Sequence, residues 1–170
     1  GQQFGGLLFQ RACAFLAHTR ETREIVFEII VTFGTVPEVP AGYRHYTRDN
    51  DKLVVCSYER KSDEWDEPSL IHRYLNRHEL ARADAVYVYV GDVEPTCTRE
   101  QAWLLVRWIL GELSLFKRQK KDDKKAKVSE VKVVASFEGL APGVREKEER
   151  EAQDLGVKVV ELKDMSAEKF

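Results

Sequence analysis

The sequence predicts an α/β fold: one domain over residues 1–170 with a mixed sheet of about six strands, an antiparallel meander followed by parallel βαβ crossovers. Three observations lead there. Short apolar runs rich in Val, Ile, Tyr and Phe recur along the chain and read as strands. In the C-terminal half they alternate with helix-length segments, the pattern of strands joined by crossover helices. In the N-terminal half three such runs follow one another with turn residues between, the pattern of a meander.

Each element has its own signal. Residues 4–18 are apolar-rich (Leu7, Leu8, Ala12, Phe15, Leu16) and predict a helix. Residues 25–33, IVFEIIVTF, are β-branched and aromatic and predict a buried strand, broken after Phe33 by Gly34, Pro37, Pro40 and Gly42. Residues 43–48 and 52–58 predict two more strands, turning at Asp49-Asn50-Asp51. Residues 69–81 predict a helix and residues 85–91, AVYVYVG, a strand. Thr98-Arg99-Glu100-Gln101 fits a capping box that opens a helix to residue 116. That helix is apolar around most of its circumference, which predicts burial on several sides or a subunit contact. Residues 131–137 predict a strand, 143–155 a charged helix closed by Gly156, and 157–162 a last strand.

Composition bounds the function. A length of 170 residues suits a single domain with a sizeable core. The 27 basic and 29 acidic residues nearly cancel, so any nucleic-acid surface must be local. High Lys, Arg and Glu content with one Met is compatible with a thermophile. Cys13, Cys56 and Cys97 form no CxxC pair, and an odd count argues against a disulfide framework. Cys13 and Cys56 lie in apolar runs and read as buried side chains. No apolar run approaches the ~20 residues that span a bilayer, and the N-terminus lacks a signal-peptide pattern. A reducing, cytoplasmic setting without a membrane partner is expected. The chain does not begin with Met, which is compatible with a piece of a longer protein.

The segment KLVVCSYERKSDEW ends an apolar run in Glu59-Arg60-Lys61. Residues two apart on a strand face the same side, so Glu59 and Lys61 share a face. A carboxylate there can hold a divalent metal, and a lysine beside it can position a water and stabilise charge on phosphate. The E-R-K motif and the αβββαβ order of residues 4–91 resemble the PD-(D/E)XK nuclease superfamily. The resemblance implies a restriction-endonuclease-like fold and Mg²⁺- or Mn²⁺-dependent cleavage of DNA or RNA. It implies Glu38 and Glu59 as metal ligands and Lys61 beside the attacking water. Glu38, preceded by Pro37, stands where the family usually carries Asp. Asp51 lies eight residues from Glu59 along one strand, ~26 Å away, which excludes it. The first predicted helix contains no Asp or Glu, and Glu24 and Glu28 are the other acids nearby. The same triplet also reads as the solvated end of a surface strand.

Other features carry two readings each. Lys117, Arg118, Lys120, Lys121, Lys124 and Lys125 form a basic stretch suited to phosphate contacts, or a solvated loop. The acidic segment around Trp65 reads as a loop, and the four histidines show no metal-site spacing. Gly91, Asp92 and Thr98 lie between a strand end and a helix start, where parallel sheets collect phosphates. Neither GxGxxG nor GxxxxGK[ST] occurs there. Tyr87 and Tyr89 alternate with valines and are expected to fill one sheet face. Two further function classes follow: a non-catalytic nucleotide- or nucleic-acid-binding Rossmann-like module or inactive nuclease-like subunit, and a scaffold docking through a helix. Under each, the 99–116 helix is expected to serve a homo-oligomer or a larger complex.

Overall fold

The computed structural model describes residues 2–33, 42–48, 53–60, 77–91, 99–120 and 130–165; for residues 2–7 and 45–48 the description covers the backbone alone. Helix α1 (Gln2–His18) is followed by strands β1 (Phe27–Phe33), β2 (Arg44–Arg48) and β3 (Leu53–Glu59). Then come α2 (Arg77–Arg82), β4 (Ala85–Val90), α3 (Arg99–Gln119), β5 (Glu130–Ala135), α4 (Val144–Leu155) and β6 (Lys158–Glu161), closed by a 3₁₀ turn over Leu162–Asp164. The class is α/β, as the alternation of apolar runs predicts.

These strands form one mixed sheet in the order β2-β3-β1-β4-β5-β6. Strands β1, β4, β5 and β6 run parallel, and β3 runs against both β1 and β2. The expected meander is therefore corrected. In a meander β2 would separate β1 from β3, whereas here β3 pairs with β1 along its whole length, from Phe27 opposite Glu59 to Phe33 opposite Leu53. Composition explains the exchange. Strand β1, FEIIVTF, is almost wholly buried and needs a neighbour on each side. Strand β2, RHYTR, carries charge and tolerates the edge, where charged residues also discourage pairing with other chains.

Strand alternation divides the core into two layers. Phe27, Ile29, Val31, Val86, Val88, Val90, Val133 and Ala135 face α2, α3 and α4. Ile30, Val54, Cys56, Tyr87, Tyr89 and Val134 face Phe9, Ala12, Cys13 and Leu16 of α1. Cys13 and Cys56 are buried free thiols, and Tyr87 and Tyr89 fill one sheet face, both as expected. The two crossovers that carry α3 and α4 lie on one side, and among the described helices α1 covers the other.

Local chemistry sets the helix ends. Gly156 adopts φ 73° and its N–H bonds the carbonyls of Ala152 and Gln153, closing α4. The charged helix α4 ties itself to its neighbours through ion pairs. Glu148, Glu151 and Arg145 pair with Arg99, Arg107 and Glu161 on other elements. Helix α3 buries Trp103, Val106, Ile109 and Leu113 on one side and leaves Leu104, Trp108 and Leu115 exposed. Of the helix expected over 69–81, the described part is α2, and Thr98 of the expected capping box lies outside the described residues.

Candidate functional site

Two edges of the sheet collect polar side chains. The first is the edge where the parallel strands begin. Glu59 ends β3 opposite Phe27, the first residue of β1, on the face that carries α2. Arg82 of α2 grips its carboxylate with Nη1 at 2.6 Å and Nη2 at 3.4 Å, and also bonds Glu79 at 2.9 Å. The same guanidinium lies 4.1 Å over the Phe27 ring. Burial disfavours the charge of Arg82, but the hydrogen bonds it donates to Glu59 and Glu79 outweigh that and its pKa is raised. The Asp84 carboxylate accepts the N–H groups of Val26 and Phe27 and pins the start of β1.

Of the residues the nuclease resemblance implies, Glu59 stands in this cluster, and Glu38 and Lys61 lie outside the described residues. Glu28 does not join Glu59. One residue along β1 from Phe27, it points to the opposite face of the sheet. There it is 1% exposed and bound by Arg20 Nε at 2.9 Å and Arg23 Nη1 at 3.1 Å. The Tyr43 hydroxyl approaches the same carboxylate at 3.4 Å, and Arg23 Nη1 donates to the Tyr87 hydroxyl at 2.7 Å. Arg23 also donates to Thr19 Oγ1 and to the Leu16 carbonyl, tying the cluster to the end of α1. Arg20 lies over the rings of Tyr58 and Tyr43, at 3.6 and 4.6 Å. Burial pushes the Tyr87 hydroxyl up to about 12, with Arg23 opposing and Glu28 adding to the rise. This network is a clamp between α1 and the sheet. Glu24 sits in the preceding turn at φ 56° and is exposed.

Among the described carboxylates, Glu59 is held by Arg82, and Glu28 by two arginines on the other face of the sheet. Among the described residues no group of three or more His, Cys, Asp or Glu is placed to hold a metal ion.

The second edge is where the parallel strands end. A crevice of about 350 Å³ opens beyond β5 and β6. Its walls are the turn from Ser136 to Gly143, the first turn of α4, the end of β6, and Leu8 and Arg11 of α1. The lining combines apolar side chains (Leu8, Phe137, Leu140, Leu162) with Arg11, Arg145 and Lys163 and with Glu138, Glu146 and Glu161. Glu161 holds both Arg145 and Lys163. Arg11 is exposed and has no ion-pair partner among the described residues. One wall is braced from below. Arg99, at the start of α3, binds both oxygens of the buried Glu148 at 2.7 Å and donates to the Ser136 carbonyl at 2.7 Å. In open α/β sheets ligands bind outside the carboxyl ends of the strands, commonly where the strand order reverses, whereas β4, β5 and β6 follow one another in a single direction here.

The strand-to-helix turn singled out in the sequence, between Gly91 and Thr98, lies one strand away from this crevice. Residues 92–98 lie outside the described residues. A Cβ at Gly91 would stand 2.6 Å from the Tyr89 hydroxyl, so the glycine there answers to a close approach by its own strand. The β5–α4 turn, with Pro142-Gly143 before a helix, carried the same strand-to-helix signal. Of the basic stretch, Lys117, Arg118 and Lys120 are exposed at the end of α3, and Lys121, Lys124 and Lys125 lie outside the described residues. Lys117 lines a shallow surface beside Glu130 and Lys158, at the edge where the parallel strands begin. His78 packs edge-on against Phe116, and His18 ends α1 in solvent. No helix among the described residues is long and apolar enough to cross a membrane. No protein-family model, curated protein or solved structure matches this chain.

Proposed function

We propose that the chain is a binding module of Rossmann-like layout that takes a mononucleotide at the carboxyl edge of its parallel strands, without catalysing a reaction on it. The crevice beyond β5 and β6 carries this reading. Its volume of about 350 Å³ falls at the lower end of the ~300–1,000 Å³ range of ligand pockets. Leu8, Leu140 and Leu162 offer an apolar floor for a base, and Arg11 stands at the rim for a phosphate. The Phe137 ring serves the protein instead, with the guanidiniums of Arg99 and Arg145 over it. Calorimetric titration with AMP, ATP, GTP and a single-stranded oligonucleotide tests the reading. One-to-one saturable binding of a mononucleotide is expected. Arg11→Ala is expected to weaken it about tenfold or more, the loss of one charge-assisted hydrogen bond of about 1.5–3 kcal/mol. Heat-silent titrations up to about 1 mM of every nucleotide reject the reading.

A second reading, a metal-dependent nuclease acting on DNA or RNA, is favoured by one observation. Glu59 and the basic end of α3 share the edge where the parallel strands begin. In this reading Glu38, Glu59 and Lys61 supply the chemistry and Lys117, Arg118, Lys120, Lys121, Lys124 and Lys125 contact phosphates. Incubating labelled DNA and RNA with Mg²⁺ or Mn²⁺ beside Glu59→Gln and Lys61→Ala separates the readings. Cutting lost in both variants supports the nuclease; an inert wild type leaves the binding module.

A further inference from the structure

The outer side of α3 carries an apolar stripe that the fold does not use. Leu104, Trp108 and Leu115 are 60%, 44% and 40% exposed, and Gly111 is exposed between them. The spacing 104-108-111-115 alternates four and three, the step of a helix seam that packs against another helix. At 3.6 residues per turn the four positions fall within about 60° of the circumference and extend over about 16 Å. A Cβ at Gly111 would meet nothing within 4 Å, so the glycine leaves a hollow one turn from the bulkiest side chain of the stripe.

We infer that this stripe pairs with the same stripe of a second copy of the chain, the two α3 helices running antiparallel about a two-fold axis. Self-complementarity selects the occupant. An antiparallel register that sets Trp108 against the second copy's Gly111 also sets Leu104 against its Leu115. Each tryptophan then enters the other helix's hollow, and the axis requires every contact to occur twice. Charge agrees with the register. Glu100 in the first turn of α3 comes beside the second copy's Arg118 in the basic last turn, on the same flank of the stripe. A parallel pairing would bring the basic ends together and align the helix dipoles unfavourably.

One helix pair buries less than the roughly 1,200 Å² at which stable interfaces begin, so the dimer is weak, with a Kd on the order of 1–100 μM. Sedimentation equilibrium of the chain across about 1–300 μM tests it. A concentration-dependent monomer–dimer equilibrium is expected. Leu104→Glu combined with Leu115→Glu changes only exposed positions and is expected to leave a folded monomer at every concentration. Gly111→Leu has room in the single chain but fills the hollow that Trp108 needs, and is expected to weaken the dimer at least about tenfold. Orientation is read with a short bis-maleimide in a Cys97→Ser background. Mixing Leu104→Cys chains with Leu115→Cys chains is expected to give a cross-linked dimer that neither forms efficiently alone. A chain monomeric throughout, a dimer indifferent to the stripe variants, or Leu104→Cys linking to itself as well as to Leu115→Cys overturns the inference.

Discussion

Replacing Glu28 by Gln removes one negative charge and almost no volume from the centre of the clamp between α1 and β1. In the folded protein that charge is 1% exposed and faces two guanidiniums, of which Arg20 is 12% and Arg23 14% exposed. Breaking a buried ion pair by removing one partner costs about 3–5 kcal/mol, because the other charge stays desolvated. The glutamine oxygen still accepts from one arginine, so the lower half of that range, about 3 kcal/mol, is expected. For a chain of this size each kcal/mol moves Tm by about 2–4 °C, which gives a fall of about 6–12 °C. Glu59→Gln is the internal control. Its partner Arg82 is 40% exposed and Glu59 is 26% exposed, so solvent screening limits the loss to about 1 kcal/mol or less. Urea unfolding of the two variants at pH 7, read by tryptophan fluorescence and by circular dichroism, measures both. Equal losses would refute the reasoning, since burial would then not govern the cost of an unpaired charge. A small loss for Glu59→Gln also makes that variant a clean probe in the nuclease assay.

Three further outcomes follow from the same geometry. Burial raises the Cys56 thiol from 9.0 to about 12 and the Tyr87 hydroxyl from 10.0 to about 12. Between those limits the unfolded chain gives up protons that the folded chain keeps, so stability is whole below about pH 9 and falls as pH rises towards 12. Urea midpoints that stay level from about pH 8 to 11 contradict this. Gly91→Ala forces a Cβ to within 2.6 Å of the buried Tyr89 hydroxyl, and a loss of about 1–3 kcal/mol is expected on calorimetric unfolding. Arg99→Lys keeps the charge but gives up the two-pronged grip on Glu148 and the bond to Ser136, and is expected to cost about 1.5–3 kcal/mol. A wild-type unfolding midpoint for Arg99→Lys would show that the second bond to Glu148 and the bond to Ser136 contribute nothing to stability.

The sequence by itself determined the α/β class and most elements, because each rests on local signals. Val86, Val88 and Val90 alternating with Tyr87 and Tyr89 already state a strand buried on both faces, and Gly156 states a helix end. Burial of Cys13 and Cys56 was legible for the same reason. Strand order was not legible, since β3 pairs with β1 through contacts between residues up to 32 positions apart, as Phe27 with Glu59. Only the competition of whole strands for interior places decides that, and it sends the charged β2 to the edge. The candidate sites divide along the same line. The E-R-K spacing placed Glu59 at a strand end, but nothing local reveals that Arg82, 23 residues on, holds its carboxylate. Nor does a local pattern reveal that Arg20 and Arg23 converge on Glu28, or that Arg11 meets the turn after β5 across more than a hundred residues. Ion pairs and crevices arise where distant segments pack, and only the tertiary structure brings their members together.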